Sequence, residues 1–273
     1  MLNISDNILK FLDNNDFQRI LIHSDILFGF KLPFHKDKNT FIESHMDKIM
    51  SVINQKTIIF PTFNYDFCKG EDYSLINSPS QVGILSEYFR TNIANWRTNV
   101  PVFSFAGIGV EINLPQCKVI DPFGVDSLFH YLYQNEGLLM HYGSKFSSTT
   151  AIHYAERISE KLVYRYNKEF IGNVIVNADM SNMKVLNYHV RPLNRYQDYD
   201  WNKIEKDLLG AGILYKFEEG RTNILFCNFK KLIDFWVEKL NLDLFYLLDS
   251  DSKKWIEPMI DKLGRPFLLT DFE

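Results

Sequence analysis

The chain has 273 residues, enough to bury a substantial core as one large domain or two small ones. It is 46% hydrophobic and 23% charged with a net charge of -4, and it has no dense run of lysine and arginine, which argues against nucleic acid as a partner. Cys68, Cys117 and Cys227 are widely spaced and odd in number, no leader pattern opens the chain, and no apolar stretch reaches membrane-helix length, so a reduced cytoplasmic setting is expected.

In chain order, Ser5 opens a short helix with Ile8, Phe11 and Leu12 on one side. Arg19 to Ile22 reads as a buried strand, ended by the polar turn His23-Ser24-Asp25. Thr40 and Glu43 form a capping-box signature, after which Ile42, Met46, Ile49, Met50 and Ile53 fall at helical spacing. Thr57 to Phe60 is the next strand, stopped by Pro61. A helix follows Ser78-Pro79-Ser80 and runs through Arg90; Val102 to Ala106 is a strand and Ser127 to Tyr133 a helix. Gly137 to Met140 is a buried strand that hands over to a helix starting near Thr149 or Thr150. Beyond about residue 164 the pattern changes. Paired strands around 170–176 and 183–190 precede a helix near Trp201 to Leu209, a hairpin about Gly220 and a helix at Leu232 to Leu240.

Alternating strands and helices predict an α/β three-layer sandwich with a mostly parallel mixed sheet, plus a smaller antiparallel α+β region near the C-terminus. The expected organisation is a single domain over 1–273, with an α/β core at about 1–163 and an α+β subdomain at about 164–273.

The stretch Ser147 to Glu156 carries the strongest chemical signal. His153 sits in a first helical turn, where the positive end of the helix dipole favours the neutral imidazole that a general base requires. Glu156 lies three residues on, on the same face. By itself this pattern also fits a surface histidine or a satisfied core one.

The surrounding motifs separate those readings. Ile22-His23-Ser24, Ile59-Phe60-Pro61-Thr62, Pro79-Ser80-Gln81-Val82-Gly83 with Phe89-Arg90, Arg97-Thr98 with Pro101 and Ser104, Gly124-Val125-Asp126-Ser127, and Thr150-x-x-His153-x-x-Glu156 occur in one order. In that order the chain resembles the aminoglycoside 3-N-acetyltransferase family, acetyl-CoA-dependent enzymes distinct from the common GNAT acetyltransferases. The resemblance covers roughly residues 17 to 170. It implies catalytic roles for His153, as base, and for Glu156, with direct transfer in a ternary complex and no acyl-enzyme. It implies CoA contacts at His23, Ser24, Ser80, Val82, Gly83 and Thr150; acceptor contacts are expected at Asn64, Tyr65, Asp66 and Ser104. Acetyl-CoA, or another short acyl-CoA, is the co-substrate and no metal is expected, since the histidines lack ligand spacing such as His-x-x-x-His.

Val100-Pro101 stands where drug-modifying members commonly carry His-Pro, and the segment Thr62 to Gly70 is rich in aromatic rings with one carboxylate. Aromatic faces suit a sugar ring or a base, although Phe63, Tyr65 and Phe67 also fit a core. This pattern resembles the branch of the family associated with bacterial surface-sugar assembly, which implies an amino-sugar acceptor, nucleotide-linked and used for surface polysaccharide. The alternative is aminoglycoside antibiotic acetylation; a different class is a non-catalytic CoA- or sugar-binding protein. A serine hydrolase lacks its Gly-x-Ser-x-Gly elbow.

Overall fold

The computed structural model describes residues 4–15, 17–33, 35–53 and 56–273. Residues 1–3, part of the stretch in which no leader is expected, lie outside this description. Helix α1 (Ile4–Asp13) buries Ile8 and Leu12, four apart on one face. Strand β1 (Arg19–Ser24) continues through His23 rather than turning there. Helix α2 (Lys38–Val52) starts at Asp37, whose carboxylate accepts from the Thr40 amide. That replaces the cap expected at Thr40, whose hydroxyl donates to the same carboxylate. Strand β2 (Thr57–Pro61) is buried throughout and ends on Pro61, which pairs with Phe105.

Next come β3 (Tyr73–Ser74), α3 (Ile84–Asn92), β4 (Trp96–Arg97) and β5 (Phe105–Ile108). The strand expected from Val102 begins later because Val102 has a φ of 66°, which breaks the extended run. Strand β6 (Val119–Ile120) precedes α4 (Leu128–Gln134), where the Ser127 hydroxyl accepts from the His130 amide. Then follow β7 (Leu138–Tyr142), α5 (Ile152–Ile158), β8 (Tyr166–Asn177), β9 (Met180–Val190), α6 (Trp201–Gly210), β10 (Leu214–Glu219), β11 (Thr222–Asn228) and α7 (Phe229–Leu242). Helix α8 (Ser250–Leu263) contains Pro258, a residue that reads as a breaker, and no helix was expected there.

The large sheet runs β10-β11-β7-β1-β2-β5-β4. Its centre, β7-β1-β2, is parallel, and antiparallel strands flank it. The central strands alternate: Leu21, Ile59, Leu139 and Leu225 face one core, with α4, α5, α6 and α7. Ile20, Ile22, Phe60 and Met140 face the other, with α1, α2 and α3. Each strand thus supplies apolar side chains to two covers, giving the three layers. The hairpin β10–β11, expected in the C-terminal region, instead extends this sheet, with Ile224 opposite Tyr142. Ile224 and Phe226 join one core and Leu225 and Cys227 the other, so this strand needs a layer on each side.

The second sheet, β3-β8-β9-β6, is built on the long antiparallel hairpin β8–β9. The short strands β3 and β6 join its edges in parallel.

Candidate active site

Helix α5 begins with Ile152 and has Ala151 at its N-cap, with no side-chain cap. The expected threonine cap is absent; the Thr149 hydroxyl instead donates to Phe146 O at 2.6 Å and lies 2.9 Å from His141 Nε2. His153 still falls in the first turn, about a quarter exposed, while Glu156 on the same face is fully buried. His153 Nδ1 lies 2.9 Å from Glu156 Oε2.

Residues remote in sequence complete this cluster. Tyr164 and Tyr199 donate to Glu156 Oε1 at 2.9 and 2.7 Å. Arg165 donates to the Tyr199 oxygen at 2.7 Å and brings its Nε within 3.4 Å of Glu156 Oε2. An ionised carboxylate only accepts hydrogen bonds, so both phenols must point their protons at it. By the same logic His153 Nδ1 carries the proton, and Nε2 is left as the basic nitrogen. Phe123 packs its ring 5.3 Å from that of His153 and is held there by the Gly124–Ser127 turn, where Ser127 donates to Gly124 O.

The electrostatics agree with this tautomer. Burial would raise the Glu156 carboxyl, but Arg165 and His153 outweigh it and hold it down to about 2. For His153, burial and then the Arg165 charge lower the ring's affinity for protons, against an opposing pull from Glu156. His189 is buried, and burial lowers it to about 3, so it is neutral at pH 7. Its Nε2 lies 3.8 Å from Glu156 Oε2, beyond hydrogen-bond distance. His153, Glu156 and His189 place one ligand atom each within 4.8 Å of one another. The Arg165 guanidinium beside Glu156 already supplies the positive charge that a cation would bring there.

Of the residues expected to contact CoA, His23 and Ser24 lie at the carboxyl end of β1 beside that of β7, where open α/β sheets bind ligands, with Gly83 against Ser24. His23 stacks on His141, with centroids 5.2 Å apart, and His141 meets Thr149 next to Thr150. Gly83, at φ 93°, leaves room beside Ser24: a methyl group there would sit 3.5 Å from Ser24 O. Ser80 braces the turn, its amide donating to Glu87 Oε2 and its hydroxyl accepting from Val82 N.

The expected acceptor residues are less uniform. Asn64 is buried and donates to Pro79 O. The Asp66 carboxylate accepts from Gln81 and Lys69. Tyr65 is 41% exposed, with its ring 6.5 Å from Phe103. Phe103 in turn packs 4.8 Å from Phe123, so an aromatic run leads from this loop to His153. Ser104 is fully buried, donating to Thr62 O and accepting from Arg97. Tyr164, Arg165, His189 and Tyr199 were not anticipated. The one local trace of them is an arginine between two tyrosines at 164–166.

Fold and site together define an α/β protein with a histidine–carboxylate pair beside the carboxyl edge of a mixed sheet. The model of the aminoglycoside 3-N-acetyltransferase family matches residues 39–241, and the chain belongs to that family of acetyl-CoA-dependent N-acetyltransferases. Among solved structures it is similar to AAC-IIIb in binary complex with CoASH, at 14% identity over 87% of this chain and 96% of that one, with a TM-score of 0.67. It is similar to AAC(3)-Xa at 16% identity, over 89% of this chain and 93% of that one, with a TM-score of 0.67. It also resembles a histidine-to-alanine mutant of AAC(3)-IVa in complex with a gentamicin, at 14% identity over 92% of this chain and 93% of that one, with a TM-score of 0.65. At such identities the likeness establishes the fold. No curated protein matches the chain.

Proposed function

We propose that this chain transfers the acetyl group of acetyl-CoA to an amino group of an aminoglycoside-type acceptor, with His153 as general base. The observation that carries the reading is the hydrogen bond from His153 Nδ1 to Glu156, which leaves Nε2 unprotonated. A substrate ammonium first loses one proton to solvent. As the amine nitrogen attacks the thioester carbonyl, Nε2 takes a second proton from it. The C–N bond forms, the C–S bond breaks, and the imidazolium returns its proton to the departing thiolate, giving amide and free CoA. General-base assistance of this kind contributes about 10²–10⁴-fold.

Direct transfer is supported by the state of the thiols. Cys227 is buried and held protonated by burial, Cys68 is raised by burial and lies against the Tyr188 hydroxyl, and Cys117 faces Asp126. None has the activated setting of a nucleophile.

The aminoglycoside reading is preferred over the polysaccharide one. Family membership and the gentamicin-bound neighbour support it. The aromatic argument for a surface sugar weakens because Phe63 and Phe67 are core residues, leaving Tyr65 alone of the three exposed. The test is thiol release from acetyl-CoA with gentamicin and, separately, with nucleotide-linked amino sugars. Turnover with the drug is expected. Turnover confined to the sugar nucleotides would reverse the choice, and CoA binding without turnover on either would favour the non-catalytic class.

A further inference from the structure

Tyr199 comes from the segment between β9 and α6, yet its hydroxyl lies at the centre of the cluster on α5. It is 2.7 Å from Glu156 Oε1, 3.3 Å from His153 Nδ1 and 2.7 Å from an Arg165 nitrogen. Its single proton goes to Glu156, so its lone pairs face the two donors, Arg165 and His153 Nδ1–H. The oxygen therefore touches all three members of the cluster at once. Tyr164 supports the same Glu156 oxygen from the other side of the sequence, as a single donor.

The backbone holding Tyr199 is tied to the segment ahead of α8. Tyr199 pairs with Leu248 in an isolated bridge, and the next amide, Asp200 N, donates to Leu247 O. Its ring lies 5.4 Å from that of Trp201, and the Arg165 guanidinium sits 5.6 Å from the ring centre. A group pinned in this way orients its neighbours at little further entropic cost.

Resting on the base assignment above, we infer that Tyr199 is a positioning residue. It locks the Glu156 carboxylate and the His153 ring in the one register that presents Nε2 to the acceptor. Without this hydroxyl, Glu156 Oε1 keeps only Tyr164, Arg165 loses an acceptor, and the carboxylate that holds the Nδ1–H tautomer of His153 is free to turn away from the ring. The charged and titratable groups facing His153 are Glu156 on its own helix, Arg165 ahead of β8, His189 on β9, and Arg191 and Tyr199 beyond it.

The test uses Tyr199→Phe in the full chain, with acetyl-CoA and gentamicin. Expected are a loss in kcat of about tenfold, roughly one hydrogen bond's worth of orientation, an unchanged KM for acetyl-CoA, and ring ¹⁵N spectra of His153 that pass from the Nδ1–H tautomer to a mixture. Tyr164→Phe should cost less and keep the single tautomer. Wild-type kcat and tautomer in Tyr199→Phe, or equal effects of the two phenylalanines, would overturn the inference. If Tyr199→Phe does not fold, Arg165→Lys, which withdraws the guanidinium from the Tyr199 oxygen, should produce the same mixing, and its absence counts against the assignment. A His153→Ala control that still turns over would sink the base reading, while the ¹⁵N spectra would still decide the role of Tyr199.

Discussion

The ring of His153 is gripped at one nitrogen and open at the other. Glu156 and Tyr199 meet Nδ1, Phe123 covers a flank, and burial with the nearby Arg165 charge keeps the ring neutral. Because the shift is downward from 6.5, the base form persists to lower pH than in a free histidine, so the His153 ring, followed by NMR in the free enzyme, should titrate with a midpoint below about pH 6.5. A midpoint above that value would contradict the electrostatics. Glu156→Gln should lower kcat by about 10²-fold or more, since an amide can donate to Nδ1 and so favour the wrong tautomer; steady-state kinetics with constant CoA affinity would check this. The His153–Glu156 pair was legible in the sequence because three residues on a helix make neighbours by geometry alone. Arg165 and Tyr199 were not, since nothing local in their segments tells that the start of β8 and the segment before α6 converge on α5.

Among the elements, the most legible were those with a single strong cause. Buried apolar runs fixed β1, β2 and β7, and turn residues fixed the hairpin at Gly220. Boundaries failed where a side chain outside the element decided them: Asp37 starts α2, and the Thr149 hydroxyl is turned towards Phe146 and His141 while α5 starts without a side-chain cap. Ser127→Ala removes a buried cap of α4 and should cost about 1 kcal/mol of stability in denaturant unfolding. An unchanged midpoint would mean that this turn is held by its other contacts. Gly83 opens α3 at a φ of 93° and a ψ of 145°, a region essentially restricted to glycine. Gly83→Ala should therefore destabilise by about 1–3 kcal/mol and raise KM for acetyl-CoA more than it changes kcat; a purely kcat effect would remove Gly83 from the donor site.

At the scale of the molecule, a parallel-centred sheet between two cores puts its carboxyl edge, the loops expected to contact CoA and α5 together. The layer order followed from alternating strands and helices, but the place of β10–β11 did not, because the choice of strand partner is non-local. Among the described residues no helix is long and apolar enough to cross a membrane. The packing also buries neutral histidines. Burial holds His23 and His45 to about 4 and His189 to about 3, below their ordinary 6.5. The unfolded chain takes up protons there that the folded one refuses, so stability is full above 6.5 and falls as the pH drops towards 4, by up to about 1.4 kcal/mol per unit for each histidine. Glu156, depressed from 4.5 to about 2, adds a loss only between those two values. Denaturant unfolding at about pH 7 and about pH 5 should show a clear drop; equal stability would contradict the burial of neutral rings. The most direct test of the central claim compares wild type with His153→Ala for thiol release from acetyl-CoA with gentamicin, beside CoA affinity. The account predicts turnover reduced by about 10²-fold or more with CoA binding essentially retained; turnover that survives the substitution would contradict it.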